Sequence, residues 1–359
     1  MQARSTSSPT TTTKAWRWKQ RAGFASSWEW IFRLIRQMPR SSSIFSPVSP
    51  RPSMNFMRLL LVDGHYYAYR SFFAIRGLTN SRGEPTNAVF GFVKALRKML
   101  SDVKPDAAAV VWDAGLPERR MQLLPSYKQQ REETPDDLVK QLPVIEEAVT
   151  ALGLRNVSLQ GHEADDLIAS YAAAARKEKG EVVIATNDKD IYALVGDGVA
   201  IYSTNKTDLG DPKDGFALLG PAEVERKWEV RPEQIPDVLA LTGDTADNIP
   251  GVDGVGPKTA AKLVREHGSA SLLAENPSVI ANEKLREKVA AAAARLRDNL
   301  ELVRLEHDLP LPVAPKDLEI RPDAAAMAAL AKRCEFRSLL AEFEKLAKAG
   351  GSASQGELF

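Results

Sequence analysis

The stretch RLLLVD, residues 58–63, decides the fold, because it is a short continuous apolar run that ends in an acid. Two further runs have the same form, DAAAVVWD at 106–113 and EVVIATND at 181–188, and VAIYS at 199–203 is a candidate fourth strand. Runs without polar alternation indicate strands that are buried on both faces. We therefore predict an α/β fold in which helices flank a mostly parallel central sheet.

Helical periodicity fills the segments between these runs. It predicts one helix over 88–102 and another over 136–153, the second with a kink at Pro143 and an end at Gly153. From about residue 221 the pattern is helical and rich in turns, and a C-terminal helix is predicted over about 322–347. The expected organisation is an α/β domain at 57–220, a helical subdomain at 221–310, a C-terminal helical segment at 311–347 and a flexible tail at 348–359.

The net charge of +1 hides a strong asymmetry. Residues 1–56 contain nine Lys or Arg and one acid, Glu29, whereas the remaining residues contain 39 basic and 46 acidic side chains. An acidic body is unusual for a protein that neutralises phosphates, and it makes sense if many acids hold cations. No apolar run approaches the ~20 residues of a membrane span, and the single cysteine, Cys334, excludes an internal disulfide, so a cytoplasmic location is expected.

Residues 1–56 are rich in Ser, Thr and Pro, which predicts a disordered basic extension without catalytic residues. An Arg-rich, acid-poor pattern is compatible with an organelle transit peptide. The alternative is an extension upstream of the natural start, and the position of Met57 just before the first strand favours it.

Acidic residues follow the predicted strands and recur at two later turns. Because parallel strands present their carboxyl ends at one edge of a sheet, acids that follow separate strands are expected to meet there. The stretch GHEADD at 161–166 opens a helix that starts near the same edge, and TGDTADN adds two acids three residues apart. The set is Asp63, Asp113, Glu163, Asp165, Asp166, Asp188, Asp190, Asp244 and Asp247.

Nine neighbouring carboxylates stay ionised together only where cations screen them. Oxygen ligands without His or Cys select hard metals, so we predict Mg²⁺, with Mn²⁺ as a substitute, and two ions rather than one. A pair of such ions is the usual device for displacement at phosphorus. The alternative reading is that some of these acids cap helices or lie on the surface, with Asp166 and Asp244 the first candidates.

Several consecutive motifs carry a resemblance to a known family. VDGHYYAYRSFFAIRGLTNSRGEPTNAVFGF, GHEADDLIA, ATNDKDIYALV and LTGDTADNIPGVDGVGPKTAAKLV resemble the 5′-nuclease module of bacterial DNA polymerase I and the wider flap endonuclease family. The resemblance runs from about Arg58 to about Phe343 and implies a PIN-like 5′-nuclease fold in a free-standing exonuclease. It assigns Asp63, Asp113, Glu163 and Asp165 to a first ion. Asp188, Asp190 and Asp247 go to a second ion, and Asp166 and Asp244 act through water.

The segment 116–135 is a basic cluster in an otherwise acidic body. By itself it is compatible with a solvated loop, but the resemblance implies a helical arch through which a single-stranded 5′ end passes. Lys128 and Arg131 would then act as catalytic groups beside the scissile phosphate, and Tyr127 would stack on a base unless it packs internally. The remaining implied DNA contacts around the site are Tyr69, Arg70, Arg82, Arg119 and Arg120, of which Tyr69 is equally compatible with the core.

The stretch IPGVDGVGPKTAAKLVREHGS at 249–269 predicts a helix, a glycine turn and a second helix. Gly251, Gly254 and Gly256 allow close backbone approach to a phosphate, which amides at the next helix start would face, together with Lys258 and Thr259. The stretch resembles the family's helix–three-turn–helix element, which grips duplex DNA, and implies K⁺ at the turn carbonyls. Contacts of this kind position DNA without reading its sequence.

The final residues resemble the short peptide by which bacterial replication proteins dock on the sliding clamp. Gln355, Leu358 and Phe359 match that pattern, whereas Gly356 departs from it, and a frayed end is the alternative.

The combined prediction is a monomeric, metal-dependent 5′→3′ exonuclease and flap endonuclease that acts on DNA ends, nicks and flaps and removes primers and flaps in replication and repair. Three rivals remain: an RNA-cleaving nuclease of PIN-like fold, a non-catalytic DNA-junction binder, and a phosphatase with a strand-end aspartate nucleophile.

Overall fold

The structure is a computed structural model that describes residues 57–211 and 213–348. Its central sheet consists of β1 (Arg58–Asp63), β2 (Ala107–Trp112), β3 (Arg155–Ser158), β4 (Glu181–Ala185), β5 (Val199–Ser203) and β6 (Ala217–Leu219). The strand order is β3-β2-β1-β4-β5-β6. The first five strands pair in parallel and β6 runs antiparallel to β5. The predicted mostly parallel α/β sheet is confirmed.

Fourteen α-helices accompany these strands in the described residues. They are α1 (Gly64–Ala74), α2 (Asn87–Val103), α3 (Glu118–Leu123), α4 (Asp136–Val139), α5 (Leu142–Ala151), α6 (Ala164–Lys177), α7 (Pro221–Trp228), α8 (Ile235–Thr242), α9 (Pro257–His267), α10 (Ala270–Glu275), α11 (Glu283–Ala291), α12 (Ala293–Val303), α13 (Ala324–Arg333) and α14 (Arg337–Lys348). A two-stranded hairpin of β7 (Gly243–Asp244) and β8 (Ile249–Pro250) follows α8. Short 3₁₀ turns lie at Asp190–Leu194, Pro232–Gln234, Pro277–Val279 and Pro315–Asp317.

The central strand β1 feeds two hydrophobic cores, one on each face of the sheet. Leu60 and Val62 are fully buried against the layer that includes α1, α2, α5, α13 and α14. Leu59 and Leu61 are fully buried in the other core, which contains α6 and continues into α8, α9, α10 and α12. Burial on both faces explains why the sequence of β1 shows a continuous apolar run.

Several boundaries differ from the sequence prediction. The helix predicted over 136–153 is two helices, α4 and α5, and Pro143 lies in the first turn of α5, where its missing N–H leaves no intrahelical bond unmade. The helix predicted over 322–347 is also two, α13 and α14, separated near Glu335, whose φ is +60°. The third predicted strand ends at Ala185, three residues before Asp188.

Two strands escaped the prediction because they lack an apolar run. β3 has the sequence RNVS and only Val157 is buried, whereas β6 is a three-residue edge strand. Among the described residues, no helix is long and apolar enough to cross a membrane.

Candidate active site

Two of the strand-end acids are fixed by backbone groups of the elements that follow. Asp63 ends β1 and caps α1, since its Oδ1 accepts a hydrogen bond from the Tyr66 amide at 2.9 Å. Asp113 follows β2, and its Oδ1 accepts from the amide of Ala164, the first residue of α6, at 2.8 Å. The Asp113 contact therefore holds the start of α6, which bears the GHEADD acids, against the sheet edge.

Thr186 connects Asp63 with the turn that follows β4. Its hydroxyl donates to Asp63 Oδ2 at 2.8 Å and accepts from the Asp188 amide at 3.1 Å. Asp188 Oδ1 in turn accepts from the Asp190 amide at 3.0 Å. Asp188 therefore reaches the same edge as Asp63 although its strand has already ended.

The TGDTADN turn approaches from the helical part of the chain. Asp244 Oδ2 lies 2.7 Å from Lys189 Nζ, and Asp247 Oδ1 lies 2.7 Å from Arg131 Nη2. The hydroxyl of Tyr127 is 3.0 Å from Asp247 Oδ2 and 3.1 Å from Glu163 Oε2, so its single proton can be donated to either carboxylate. Tyr127 thus connects this turn with the start of α6.

The acids of the site divide into two groups by their partners. Glu163 is paired with Lys128 and Arg120, Asp113 is paired with His65, and Asp166, Asp244 and Asp247 each have one cationic partner. Within residues 57–348, no Lys, Arg or His forms an ion pair with the acids of the second group. That group is Asp63, Asp165, Asp188 and Asp190.

The acids without a cationic partner all have raised pKa values. Burial, together with the charges of Asp113 and Asp188, raises the pKa of Asp63 to about 6 against two hydrogen bonds that lower it. Burial and then the charge of Asp188 raise the pKa of Asp165 and of Asp190 well above the usual range. Burial also raises the pKa of Asp188 itself. These responses show that the carboxylates act on one another electrostatically.

Asp113 and Asp247 behave in the opposite way. Desolvation by the surrounding protein favours the neutral form of each, even though the Asp113 side chain keeps contact with solvent, but the hydrogen bond and charge of His65 lower the pKa of Asp113 below its usual value. Lys128 and Arg131 likewise outweigh burial and lower the pKa of Asp247. Both carboxylates are therefore held ionised by nearby cationic groups.

The donor set of the site, carboxylate oxygens alone, fits hard cations, although the acids do not enclose a cation site. In the described part of the chain, no three His, Cys, Asp or Glu side chains stand close enough to form a ready-made metal shell. Asp190 Oδ1 is buried without a hydrogen-bond partner, which is costly for a carboxylate oxygen unless something binds it. Oxygen donors of this kind suit Mg²⁺ or Mn²⁺.

Three residues predicted from the sequence have different surroundings from those expected. Asp166 is 1% exposed, and its oxygens accept from Arg120 and from the Glu306 amide, so they are turned toward the protein interior. Arg120 is 4% exposed and also donates to the Leu302 carbonyl, so it is not placed to contact DNA. Tyr127 is 5% exposed, which leaves no free ring face for stacking on a base.

The other predicted DNA contacts lie around the site with varying exposure. The Tyr69 hydroxyl is 2.6 Å from Thr134 Oγ1, and Arg119 donates to the Glu301 carbonyl at 2.7 Å. Arg70 is exposed and donates to Thr204 Oγ1 at 3.2 Å. Arg82 is exposed and lies 2.7 Å from Glu84. It also donates to the carbonyl of Arg333, the last residue of α13, at 3.4 Å. Of these cations, Arg70, which lies on α1, is the one most available to contact DNA.

The glycine turn between β8 and α9 has the close backbone packing that the sequence implied. A Cβ at Gly251 would lie 2.2 Å from the Thr242 carbonyl oxygen, and Gly254 has a φ of +74°. Nothing lies within 4 Å of a Cβ built on Gly256, so the backbone there is open to a ligand. Lys258 and Thr259 follow in the first turn of α9, with Lys258 exposed.

Sequence reasoning missed three residues of the site. The missed residues are His65, whose Nδ1 lies 3.3 Å from Asp113 Oδ2, the Thr186 hydroxyl described above, and Lys189, which pairs with Asp244. Each is within two positions of a predicted acid or between two of them, and that proximity was the only available signal.

A parallel sheet with acids at its carboxyl edge, followed by helices around a glycine turn, defines the class of PIN-like α/β proteins with a helical C-terminal subdomain. Residues 58–229 match the family model described as 5′-3′ exonuclease, N-terminal resolvase-like domain. Residues 230–326 match the model described as 5′-3′ exonuclease, C-terminal SAM fold. The chain belongs to the 5′-3′ exonuclease family.

Individual relatives agree with this membership. A 5′-3′ exonuclease of Aquifex aeolicus is 36% identical over 84% of this chain and 99% of its own length. The thermostable DNA polymerase I of Thermus thermophilus is 45% identical over 80% of this chain, which spans only 33% of that relative. A structure of the bacteriophage T5 flap endonuclease, in a complex with DNA and metal ions, shares the fold with a TM-score of 0.56 at 22% identity, covering 81% of this chain and 99% of that one. The family resemblance inferred from the motifs is confirmed.

Proposed function

We propose that the chain is a divalent-metal-dependent 5′→3′ exonuclease and flap endonuclease that hydrolyses phosphodiesters in DNA. The observation that carries this proposal is the group of four acids, Asp63, Asp165, Asp188 and Asp190, that share one edge of the sheet without any cationic partner among the described residues. Family membership and the Aquifex relative, named as a 5′-3′ exonuclease, support the reaction class.

The acids would bind two metal ions, each held by its own group of carboxylates. Asp63, Asp113, Glu163 and Asp165 would hold the first, and Asp188, Asp190 and Asp247 the second, with Asp244 acting through water. Asp166 would not take part, because its oxygens already accept hydrogen bonds from Arg120 and the Glu306 amide. The metal ions in the complex of the T5 flap endonuclease support a divalent requirement, and Mg²⁺, with Mn²⁺ as a substitute, fits an all-oxygen donor set.

When bound, such ions would supply Lewis-acid stabilisation of the attacking and leaving oxygens of an in-line displacement. Two cations of the chain would contribute further stabilisation of charge. Lys128 and Arg131 lie against Glu163 and Asp247, so they are held within reach of any phosphate brought to those carboxylates. Their charges would stabilise the negative charge that builds on the phosphate as the bond breaks.

DNA would enter across the glycine turn and the exposed cations near α1. The amides that open α9, with Lys258 and Thr259, would bind backbone phosphates of a duplex, and K⁺ at the turn carbonyls would support the same contact. Arg70, Arg82 and Arg119 would contact the strand near its 5′ end, with Tyr69 stacking on the terminal base. Phosphate contacts select the structure of a nick, flap or end rather than a sequence, which suits removal of primers and flaps in replication and repair by a monomer.

The clamp-binding prediction concerns Gln355, Leu358 and Phe359, which lie outside the described residues. It stays a proposal. Deleting residues 355–359 should weaken binding to a purified bacterial sliding clamp while leaving flap cleavage unchanged, and unaltered clamp affinity would end the idea.

The direct test is cleavage of a 5′-labelled flap DNA, with Mg²⁺ and with a chelator. We expect cleavage only with Mg²⁺, and a loss of at least about a hundredfold in Asp63→Asn and Asp188→Asn, the scale on which one charge-stabilising group acts. Asp197→Asn is the matched control, because Asp197 is a fully exposed acid away from the site. Full turnover by the purified site variants would refute the proposal, and preferential cleavage of single-stranded RNA would favour the RNA-nuclease rival.

A further inference from the structure

Two cations on helices α11 and α12 lie beside the glycine turn although they belong to neither of its helices. Arg295 Nη2 donates to the Gly251 carbonyl at 2.9 Å. A Cβ added to Gly254 would lie 2.8 Å from Lys288 Nζ. Both side chains are exposed. The turn is therefore flanked by positive charge that comes from a later part of the chain.

The charges of Lys288 and Arg295 are not neutralised by carboxylates of the described chain. Across the described ranges, neither residue forms an ion pair with a carboxylate. Arg295 uses one of its five N–H donors on Gly251, so the others remain available to a ligand. Arg286 on α11 behaves differently, because it donates to the Ile280 carbonyl at 3.2 Å and lies 3.9 Å from Glu283.

Helix α12, which carries Arg295, is hydrogen-bonded to the elements that precede the glycine turn. Asn299, one helical turn after Arg295, is 2% exposed and donates to the carbonyls of Ala240 and Pro250 at 2.9 and 2.8 Å. These bonds join α12 to the end of α8 and to β8. The Arg295 side chain is therefore presented from a rigid element rather than from a mobile loop.

Exposed acids also lie near the turn. Asp253 is exposed within the turn itself, and Glu287 and Asp298 are exposed on α11 and α12. Asp253 alone would repel a phosphate that approached the turn amides. Lys288 and Arg295, which lie against Gly254 and Gly251, offset that repulsion together with the exposed Lys258, so a phosphate at the turn amides meets three cations.

We propose that Lys288 and Arg295 form an additional phosphate-binding strip that extends the duplex-binding surface of the glycine turn, each contacting one backbone phosphate. The inference rests on the proposed function, since it names residues that would grip the duplex part of the same substrate. It predicts that each residue contributes to duplex affinity through counterion release and not through base recognition.

The test measures the salt dependence of binding of the full chain to a fluorescent blunt duplex and to a single strand, with a chelator present so that no cleavage occurs. Each phosphate contact contributes about −0.9 to the slope of log K against log salt. We expect Lys288→Gln and Arg295→Gln each to lower the magnitude of the duplex slope by about 0.9 and to weaken duplex binding roughly 5–10-fold near 0.1 M salt. Single-strand affinity should not change.

The matched control is Arg297→Gln, which removes the same charge from an exposed position of α12 two residues away, on a different side of the helix. Duplex slopes of Lys288→Gln equal to those of Arg297→Gln would overturn the inference. The Lys288 side chain makes no hydrogen bond or ion pair in the described chain, so Lys288→Gln separates phosphate binding from any loosening of the turn in Arg295→Gln. A wild-type chain that binds no duplex would refute the proposed function as well, whereas normal flap cleavage with unchanged slopes would refute only the strip.

Discussion

Replacement of Arg120 by Met should destabilise the fold more than any single change at a surface arginine. Arg120 is 4% exposed, and its guanidinium lies 2.9 Å from Asp166 Oδ1, 2.8 Å from Glu163 Oε2 and 2.9 Å from the Leu302 carbonyl oxygen. Removing it leaves the Asp166 carboxylate, 1% exposed, as a buried charge without its counter-ion. Breaking a buried ion pair in this way costs about 3–5 kcal/mol.

The assay is urea unfolding followed by far-UV circular dichroism, with Arg119→Met as the matched control. Arg119 is adjacent and reaches Glu301 at 3.6 Å, but it is partly exposed, so its loss should cost about 1 kcal/mol or less. The double variant Arg120→Met/Asp166→Leu has no unpaired buried carboxylate at position 166, so most of the lost stability should return. A value for Arg120→Met within about 1 kcal/mol of the wild type, with weakened DNA binding instead, would show that Arg120 is a DNA contact and that its burial has been misread.

Two further predictions concern the acid cluster. Without divalent ions, Asp63 alone should lower the free energy of unfolding by about 3 kcal/mol as pH rises from about 4 to about 7, because its pKa is about 6 in the folded chain against 3.8 for an ordinary Asp. Proton binding by Asp63 therefore favours the folded state below this pH range. Mg²⁺ should accordingly raise the melting temperature more at about pH 7.5 than at about pH 5. An equal rise at both pH values would contradict the assignment of this effect to Asp63. Thr186→Val should cost about 1–3 kcal/mol and raise the pKa of Asp63 further, since Asp63 Oδ2 and the Asp188 amide both lose their partner. Chemical denaturation beside Thr207→Val, an exposed control, checks this, and equal stability of the two variants would count against it.

The sequence predicted the central sheet well because its signals are local. The apolar run before Asp63 and the one before Asp113 locate β1 and β2 within one residue, and topology then brings those acids to one edge. β3 was missed because a short edge strand with one buried residue has no apolar run. Pro143 predicts a kink in one helix, whereas it lies in the first turn of a separate helix, α5.

Side-chain environment was the harder part of the site. A basic cluster and the family resemblance indicated Arg120 as a DNA contact, but the depth of its burial depends on α12, which lies about 180 residues later in the chain. The family resemblance implied that Tyr127 stacks on a base unless it packs internally, and its hydroxyl in fact joins Glu163 to Asp247. Contacts of this kind depend on tertiary packing, which no local pattern encodes.

The number of Mn²⁺ ions bound per chain, measured by electron paramagnetic resonance of the free ion during a titration, tests the central claim most directly. The account predicts two ions for the wild type and for Asp197→Asn. It predicts a single remaining ion for Asp190→Asn, whose Oδ1 is the buried oxygen without a partner. Binding of no ion by the wild type, or retention of both by Asp190→Asn, would contradict it.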